Sequence, residues 1–516
     1  MTDRKWWTLV AVSIGTFMLL LDITIVNVAL PKIQTGLGSN FTDLQWVIDA
    51  YALTLAALLL TSGSLADLLG RRRIFAIGLV MFSLASLLCG VAQSPLMLNV
   101  SRGVQGIGGA MMFATSLALL GHAYRGRDRG LAFGIWGSVT GAAVSIGPVA
   151  GGALTDALSW RWIFLVNVPI GALALALTLA KLEESRDPQG ARLDIPGLVT
   201  FTAALAALVI GLIESSRKGW GSGLVDGCLI ASAVLIVAFV VLERRRRSPM
   251  FDLSLFRRPA FNGASLVAFS LSASIFALFL YLTLYLQNIL GLSPLGAGLR
   301  LLSLSGAIMI TAGIAGRLIT VVPVRWLMGA GLALVGLSLI LMRGLTVSSH
   351  WTHLLAGFIV GGVGVGLINP PLASTAIAVV PPRHAGMGSG INSTFRQVGI
   401  ATGIAGLGSI FASTVRTHVT AGLHAAHESG AGAIASAVSS GQTQQAIAHV
   451  APQARVTVVE VARASFVAGL NEILLVAAIL AFAGSVAALL LIRSSDFVAQ
   501  SDPQAEGSPA PAAAAA

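Results

Sequence analysis

Apolar residues fall into 14 long blocks, with polar residues gathered into the breaks between them. The approximate limits are 7–30, 44–66, 74–93, 96–122, 130–155, 161–180, 196–214, 224–242, 260–287, 294–319, 324–342, 351–376, 387–414 and 467–492. At ~1.5 Å per residue a helix needs about 20 residues to cross a bilayer core of ~30 Å. The pattern predicts an all-α integral membrane protein with 14 transmembrane helices. Several blocks contain Gly and Pro, which spanning helices tolerate because neighbours satisfy the freed backbone groups. A segment rich in Ala, Ser, Gly and Gln, 415–466, separates the last two blocks and is expected to be a long outside loop. The end of the chain, 493–516, finishes in SPAPAAAAA and has the composition of a disordered tail.

Composition narrows the class. Of 516 residues, 55% are hydrophobic and 10% charged, with a mean hydropathy of +0.85. Soluble domains carry about 25% charged residues, so a soluble protein is excluded. The net charge of +11 raises nucleic acid as a partner, but the placement of the charge argues for a lipid bilayer instead. If the N-terminus is inside, inward loops and the two termini hold 21 of the 32 Lys and Arg, and outward loops hold nine. That asymmetry predicts a multi-pass protein with both termini in the cytoplasm. The start imitates a signal peptide, with Arg4 and Lys5 before an apolar run. An Asp inside that run, and the many blocks after it, argue for a retained first helix.

Other chemistries find little support. Cys89 and Cys228 both sit in apolar blocks, so no disulfide framework or metal site is implied. His418, His424, His427 and His449 lack fixed ligand spacing. No phosphate-binding G-x-x-x-x-G-K-[ST] occurs, and no lysine follows a glycine, so ATP drive is unsupported. No nucleophile constellation suggests an enzyme.

Ionisable groups inside the blocks are the candidates for function. Asp22 is the only one in the first block, 15 residues beyond Trp7, or about 22 Å along a helix. A carboxylate at that depth costs ~2.5–3.5 kcal/mol, so it should face a cavity or a partner, or take up a proton. Asn27 follows, Pro31 is expected to close the helix, and Lys32 lies outside it. Asp49 stands near the outer end of the second block, where it either complements a helix dipole or lines a cavity. Arg102 is about six residues from the outer end of the fourth block, and snorkelling is the alternative to a functional role. Arg396, nine residues beyond Met387, points to a cavity or inter-helix role.

Five stretches carry a specific resemblance. GSLADLLGRRRIF, 63–75, has glycines suited to a tight turn and an Asp67 able to cap a helix or pair with Arg. It resembles the signature loop of the major facilitator superfamily, G-x-L-A-D-R-x-G-R-R, at Gly63, Leu65, Ala66, Asp67, Gly70, Arg71 and Arg72. Leu68 replaces a basic residue. RGVQGIGGA, 102–110, resembles the family's fourth-helix motif, in which the arginine serves proton transfer. GSVTGAAVSIGPVAGG, 137–152, has glycines at helical spacing around a kinking proline. It resembles the antiporter motif G-P-x-x-G-G at Gly147, Pro148, Gly151 and Gly152. LDITIVNVALP, 21–31, and WRWIFLVNVPIG, 160–171, resemble signatures of the 14-helix drug/proton antiporter subfamily.

The resemblance implies two pseudo-symmetric six-helix bundles, each of inverted repeats, plus two inserted helices. The expected divisions are 1–180 for the first bundle, 181–259 for the insert, 260–492 for the second bundle, and 493–516 for a cytoplasmic tail. The loop around Gly63 to Arg72 is expected to be an inner latch. Its second-half copy keeps Gly316, Arg317 and Leu318 but no Asp. The implied function is proton-coupled export of small amphipathic molecules, drugs or antibiotics, across the cell membrane. Proton coupling falls to Asp22, Arg102 and Asp49, and a substrate cavity to Asp22, Asn27, Asp49 and Arg396. The proton gradient drives it without a cofactor, and it is expected to be a monomer. The alternative in the same fold is a dedicated exporter of one metabolite, lipid or siderophore; a membrane enzyme or sensor ranks below both. No Asp or Glu lies between Asp252 and Glu428, which favours neutral or singly cationic substrates over dications.

Overall fold

A computed structural model describes residues 2–39, 41–124, 126–186, 195–245, 253–380, 385–425, 432, 434, 435, 438 and 454–493. Among them there are no strands, and 14 helices are long and apolar enough to cross a membrane. The first six spans are α1 (Thr2–Leu37), α2 (Phe41–Leu69), α3 (Arg71–Gly90), α4 (Pro95–Ala123), α5 (Gly126–Ala157) and the broken pair α6 (Trp162–Leu165) and α7 (Asn167–Lys181). Pro169 has no N–H to give the Leu165 carbonyl, so that span is interrupted and Asn167 opens its second piece. The inserted helices are α8 (Ile195–Lys218) and α9 (Gly223–Arg245). The second bundle holds α10 (Pro259–Leu271), α11 (Ala277–Leu284), α12 (Pro294–Leu318), α13 (Val324–Leu341), α14 (Thr352–Ala378), α15 (Ala385–Ala425) and α16 (Arg455–Leu491). A π-helical turn, Ser272–Phe276, joins α10 and α11 into one span, and a second, Tyr285–Ile289, follows α11 at its end.

The helices form two six-helix bundles with separate cores. Phe75, Phe82, Phe133 and Trp136 fill the first, and Tyr285, Phe358, Phe411 and Phe466 the second. The bundles meet along two seams, α2 against α15 and α5 against α12. In the α5–α12 seam the backbones nearly touch. A Cβ on Gly316 would lie 2.7 Å from Gly134 Cα and would overlap the Gly130 carbonyl. Small residues permit this approach, and dispersion then binds the helices where lipid offers no hydrophobic drive. The insert lies over the other seam: α8 packs on α2 and α15, with Thr61 and Thr202 hydroxyls 2.8 Å apart. Its partner α9 turns Ile230, Val234 and Val237 outward, each more than 60% exposed (64%, 61% and 62%).

Three expectations are corrected. Pro31 does not close the first helix, because α1 continues to Leu37; a proline removes one intrahelical bond, and a long helix absorbs that loss. Asp49 is not in a first turn, since α2 begins at Phe41 and Asp49 lies two turns inside it. The 415–466 segment is not all loop. Helix α15 runs on to Ala425 and α16 starts at Arg455, so both project beyond their apolar blocks; most of 426–453 and all of 494–516 lie outside the described residues.

Candidate functional site

Five helices converge on Asp22, whose side chain is 0% exposed. Helix α4 presents Arg102 and Gln105, three residues apart and therefore on one face. Helix α3 presents Ser86 and Cys89 with the same spacing. Helix α7 contributes Asn167 at its broken start, and α2 the Val47 carbonyl and the Tyr51 ring. Asp22 Oδ2 accepts from Arg102 Nη1 at 2.5 Å, and Oδ1 from Gln105 Nε2 at 2.9 Å and Asn167 Nδ2 at 3.0 Å. Arg102 also donates from Nε to the Val47 carbonyl (2.9 Å) and from Nη1 to Gln105 Oε1 (2.6 Å), and its guanidinium lies 4.2 Å from the Tyr51 ring centroid. Ser86 Oγ accepts from both amides, at 2.7 Å from Gln105 Nε2 and 3.0 Å from Asn167 Nδ2. Two polar atoms of this cluster, Asn167 Oδ1 and Tyr51 Oη, have no hydrogen-bond partner among the described residues.

The arrangement suits an ionised carboxylate. Three donors point at it, one of them cationic, and the amides occupy lone pairs that water would otherwise take. Stripping two charges of water is costly, and such a pair persists only with good geometry and further hydrogen bonds. Removing either member leaves an uncompensated buried charge, at ~3–5 kcal/mol. Arg102 does not snorkel to an interface; it is 2% exposed.

The sequence expects Asp22 to face a cavity or a partner; in this structure the carboxylate is buried in the core of the first bundle and bonded to partners there. Asn27 belongs to α1, but its side chain lies outside the described residues. Asp49 is half-buried, two residues past Val47. Arg396 is half-buried on α15 and is not among the partners of Asp22; no hydrogen bond or ion pair to it occurs among the described residues. The antiporter-like stretch packs beside the cluster. Cβ atoms at Gly147 and Gly151 would collide with Thr24 and Ile25 of α1, two and three residues past Asp22. Pro148 leaves the Val144 carbonyl without its helical donor, Gly152 is buried beside it, and Pro148 and Val149 meet Gly298 of α12. Helix α5 thus touches the helix of Asp22 and the second bundle at once. Sequence reasoning missed Ser86, and it quoted Gln105 and Asn167 only as letters of motifs. The available signals were a lone polar residue in an apolar block for Asn167 and the helical spacing from Arg102 for Gln105.

A second polar site lies at the α2–α15 seam. Helix α2 runs straight through Gly63, so Gly70 alone makes the turn, at φ +114°, where a side chain would also strike the Glu184 carboxylate. Asp67 Oδ1 accepts from Arg71 Nε and Nη2 at 2.9 and 2.8 Å. Asp67 Oδ2 accepts from the backbone N–H of Met387, in the first turn of α15, at 2.9 Å. A carboxylate at a helix N-terminus meets both free N–H groups and a favourable dipole. Arg72 turns the other way, donating from Nη2 to the Leu179 carbonyl (2.6 Å) at the C-terminal end of α7. Glu184 caps α3, accepting from the backbone of Arg72 at 3.0 Å and Arg73 at 3.2 Å. Beside the other seam, buried Arg129 reaches the Ser374 carbonyl of α14 at 3.5 Å.

The sequence model of the Major Facilitator Superfamily matches residues 12–404. Multidrug resistance protein Stp of Mycobacterium tuberculosis is 39% identical over 416 residues, which cover 80% of this chain and 77% of that protein. Puromycin resistance protein pur8 of Streptomyces alboniger is 38% identical, over 82% of this chain and 84% of its own. The tetracenomycin C resistance and export protein of Streptomyces glaucescens is 32% identical, over 80% and 77%. The crystal structure of the human organic anion transporter MFSD10 (TETRAN) matches 92% of this chain and 99% of its own with a TM-score of 0.59, at 16% identity, a likeness of fold alone.

Proposed function

Since the chain belongs to the major facilitator superfamily, and is a multi-pass membrane transporter rather than an enzyme, we propose that it is a proton-coupled antiporter exporting small amphipathic molecules. Drugs or antibiotics are the substrate class, the cell membrane is the location, and both termini are cytoplasmic. The proton gradient drives it without a bound cofactor, and it works as a monomer. The observation that carries the reading is Asp22: a carboxylate fully buried in the first bundle, bound to Arg102. A state change needs a ligand with different affinities for the two states. Protonation of Asp22 removes one charge of a buried pair, frees Arg102 from its strongest partner, and so favours a different packing of α1, α4 and α7. Helix α5 links α1 to α12 and carries that change to the second bundle.

The positive-inside charge pattern supports placing the Asp67 end in the cytoplasm. The bond from Met387 to Asp67 then holds the inner side shut, and alternating access requires it to break. The names of the relatives support drug export. Two of them are named for a single compound, which favours a dedicated exporter as the second reading. The absence of Asp and Glu between Asp252 and Glu428 supports neutral or singly cationic substrates.

The test is substrate-induced proton release from reconstituted vesicles. Asp22→Asn should abolish it while leaving some substrate binding, and Asp22→Glu should keep part of it. If Asp22→Asn exchanges protons like the parent, the coupling site is elsewhere and Asp49 is the next candidate.

A further inference from the structure

The hydrogen bonds around Asp22 describe one protonation state only. In it, the carboxylate is an acceptor on both oxygens, and Oδ1 receives two N–H groups, from Gln105 and Asn167. A proton arriving at Oδ1 forms an O–H bond and cancels the carboxylate charge, but that O–H then points into a donor. One of the two amides must change what it presents. A primary amide can do so by a half-turn that exchanges its oxygen and nitrogen.

The two amides differ in what the half-turn would cost. Gln105 Oε1 is engaged: Arg102 Nη1 donates to it at 2.6 Å and Cys89 Sγ lies at 3.8 Å. Turning Gln105 would set an NH₂ against a buried guanidinium. Asn167 Oδ1 is buried and has no partner among the described residues, so turning Asn167 breaks nothing at that end. At the near end, Oδ1 would take the place of Nδ2, between Asp22 Oδ1 and Ser86 Oγ, both now at 3.0 Å. It would accept from the new O–H of Asp22. It would also accept from Ser86, whose hydroxyl rotates freely between accepting and donating.

We propose that Asn167 is the positioning residue that reports the proton on Asp22: its side-chain amide donates to the ionised carboxylate and turns over to accept from the protonated one. This rests on Asp22 as the coupling group. The charged and titratable groups facing the site are Arg102 from α4, Tyr51 from α2 and Cys89 from α3, with Asp49 two residues before Tyr51. Helix α7 offers only Lys181 at its far end, and α5 has ionisable residues only near its ends. Asn167 is therefore a neutral group able to serve both states of Asp22 without a second titration. Its place at the break between α6 and α7 couples the turn to the geometry of the sixth span.

The test is infrared difference spectroscopy on the full-length protein in phosphatidylcholine vesicles, with asparagine labelled at the side-chain carbonyl carbon. Lowering the pH should raise a protonated-carboxyl band that Asp22→Ala removes. With the same pH dependence, one labelled carbonyl band should move to lower frequency, because its oxygen goes from no partner to two. Asn167→Leu should delete that moving band; Asn167→Asp, which keeps the volume, makes the same assignment if the Leu variant does not fold. A static donor stabilises only the ionised state, so losing it would raise the proton affinity of Asp22 about tenfold or more. A residue that serves both states predicts a change within about threefold in Asn167→Leu. A labelled band that stays still while Asp22 titrates overturns the proposal and leaves Asn167 a fixed donor. If no Asp22 carboxyl band appears at all, the coupling reading fails first, and this inference with it.

Discussion

The two seams between the bundles are built from unlike materials. Along α2–α15 the contact is polar: Asp67 takes the Arg71 fork on one oxygen and the Met387 N–H on the other. Along α5–α12 it is mainly steric, with Gly130, Gly134 and Gly316 laying backbone on backbone and one neutral hydrogen bond, from Ser138 Oγ to the Met309 carbonyl at 2.8 Å, crossing beside them. The second-half copy of the signature loop keeps its glycine and arginine and lacks the Asp. The structure gives a reason. Where two backbones already touch at Gly316, the seam is closed by fit, and a carboxylate has no gap to bridge. A polar clasp can be undone by a competing donor or by water; a fitted one yields only when the helices move as bodies.

The largest effect should come from spoiling the fit. Gly316→Val puts branched carbons where Gly134 Cα and the Gly130 carbonyl stand, an overpacking of about 1–3 kcal/mol. Efflux should be lost and the unfolding temperature lowered, read by vesicle transport and thermal melts; a fully active Val variant would mean that the seam opens widely in the working cycle. Next, Asp67→Asn keeps the shape and removes the charge, so bonds worth about 1.5–3 kcal/mol in charged form lose about half their strength. Transport should fall at least tenfold with normal yield, and unimpaired efflux would remove the polar seam from the mechanism. A smaller effect is expected of Glu184→Ala, which uncaps α3 at about 1 kcal/mol. Amide hydrogen exchange at Arg72 and Arg73 should quicken while that of Met387 changes little; unchanged exchange at Arg72 and Arg73 would deny the cap. The smallest belongs to the exposed pair Arg4–Glu183, 68% and 64% exposed, where Arg4→Ala should cost less than about 0.5 kcal/mol. A larger loss in the melt would extend the polar clasp to the outer rim of the bundle.

The same contrast explains what was legible in the sequence. Long apolar blocks dictate helices in a bilayer, so the spans and the all-α fold could be read directly. Asp22, Arg102 and Asp67 stood out because a charge in or beside such a block is expensive. Their partners did not. Met387 contributes a backbone N–H, which any residue has, 320 positions from Asp67. Ser86 and Asn167 are small and neutral, and hydropathy barely registers them. Gly316 reads as flexibility until a second backbone is seen against it. Pro31 was misleading for a related reason: its cost is one bond, too little to stop a helix that the membrane and its neighbours already hold. Arg102 lies near a helix end in sequence, yet inward packing of α4 hides it.

The Asp22 cluster has an order in time as well as in space. Among the described residues, every group bonded to that carboxylate comes later in the chain, and all come from the first bundle: Arg102 follows by 80 residues, Gln105 by 83, and Asn167 by 145. Synthesis proceeds at about 5–20 residues per second, so the last of them is made about 7–30 s after Asp22. Until then the first helix carries an acid without its full set of donors. Once Asn167 emerges, every donor that the described residues bring to the carboxylate has been made, and none of them belongs to the insert or the second bundle. A ribosome halted beyond the first bundle should therefore already hold a membrane-inserted intermediate with Asp22 protected, before the second bundle is made.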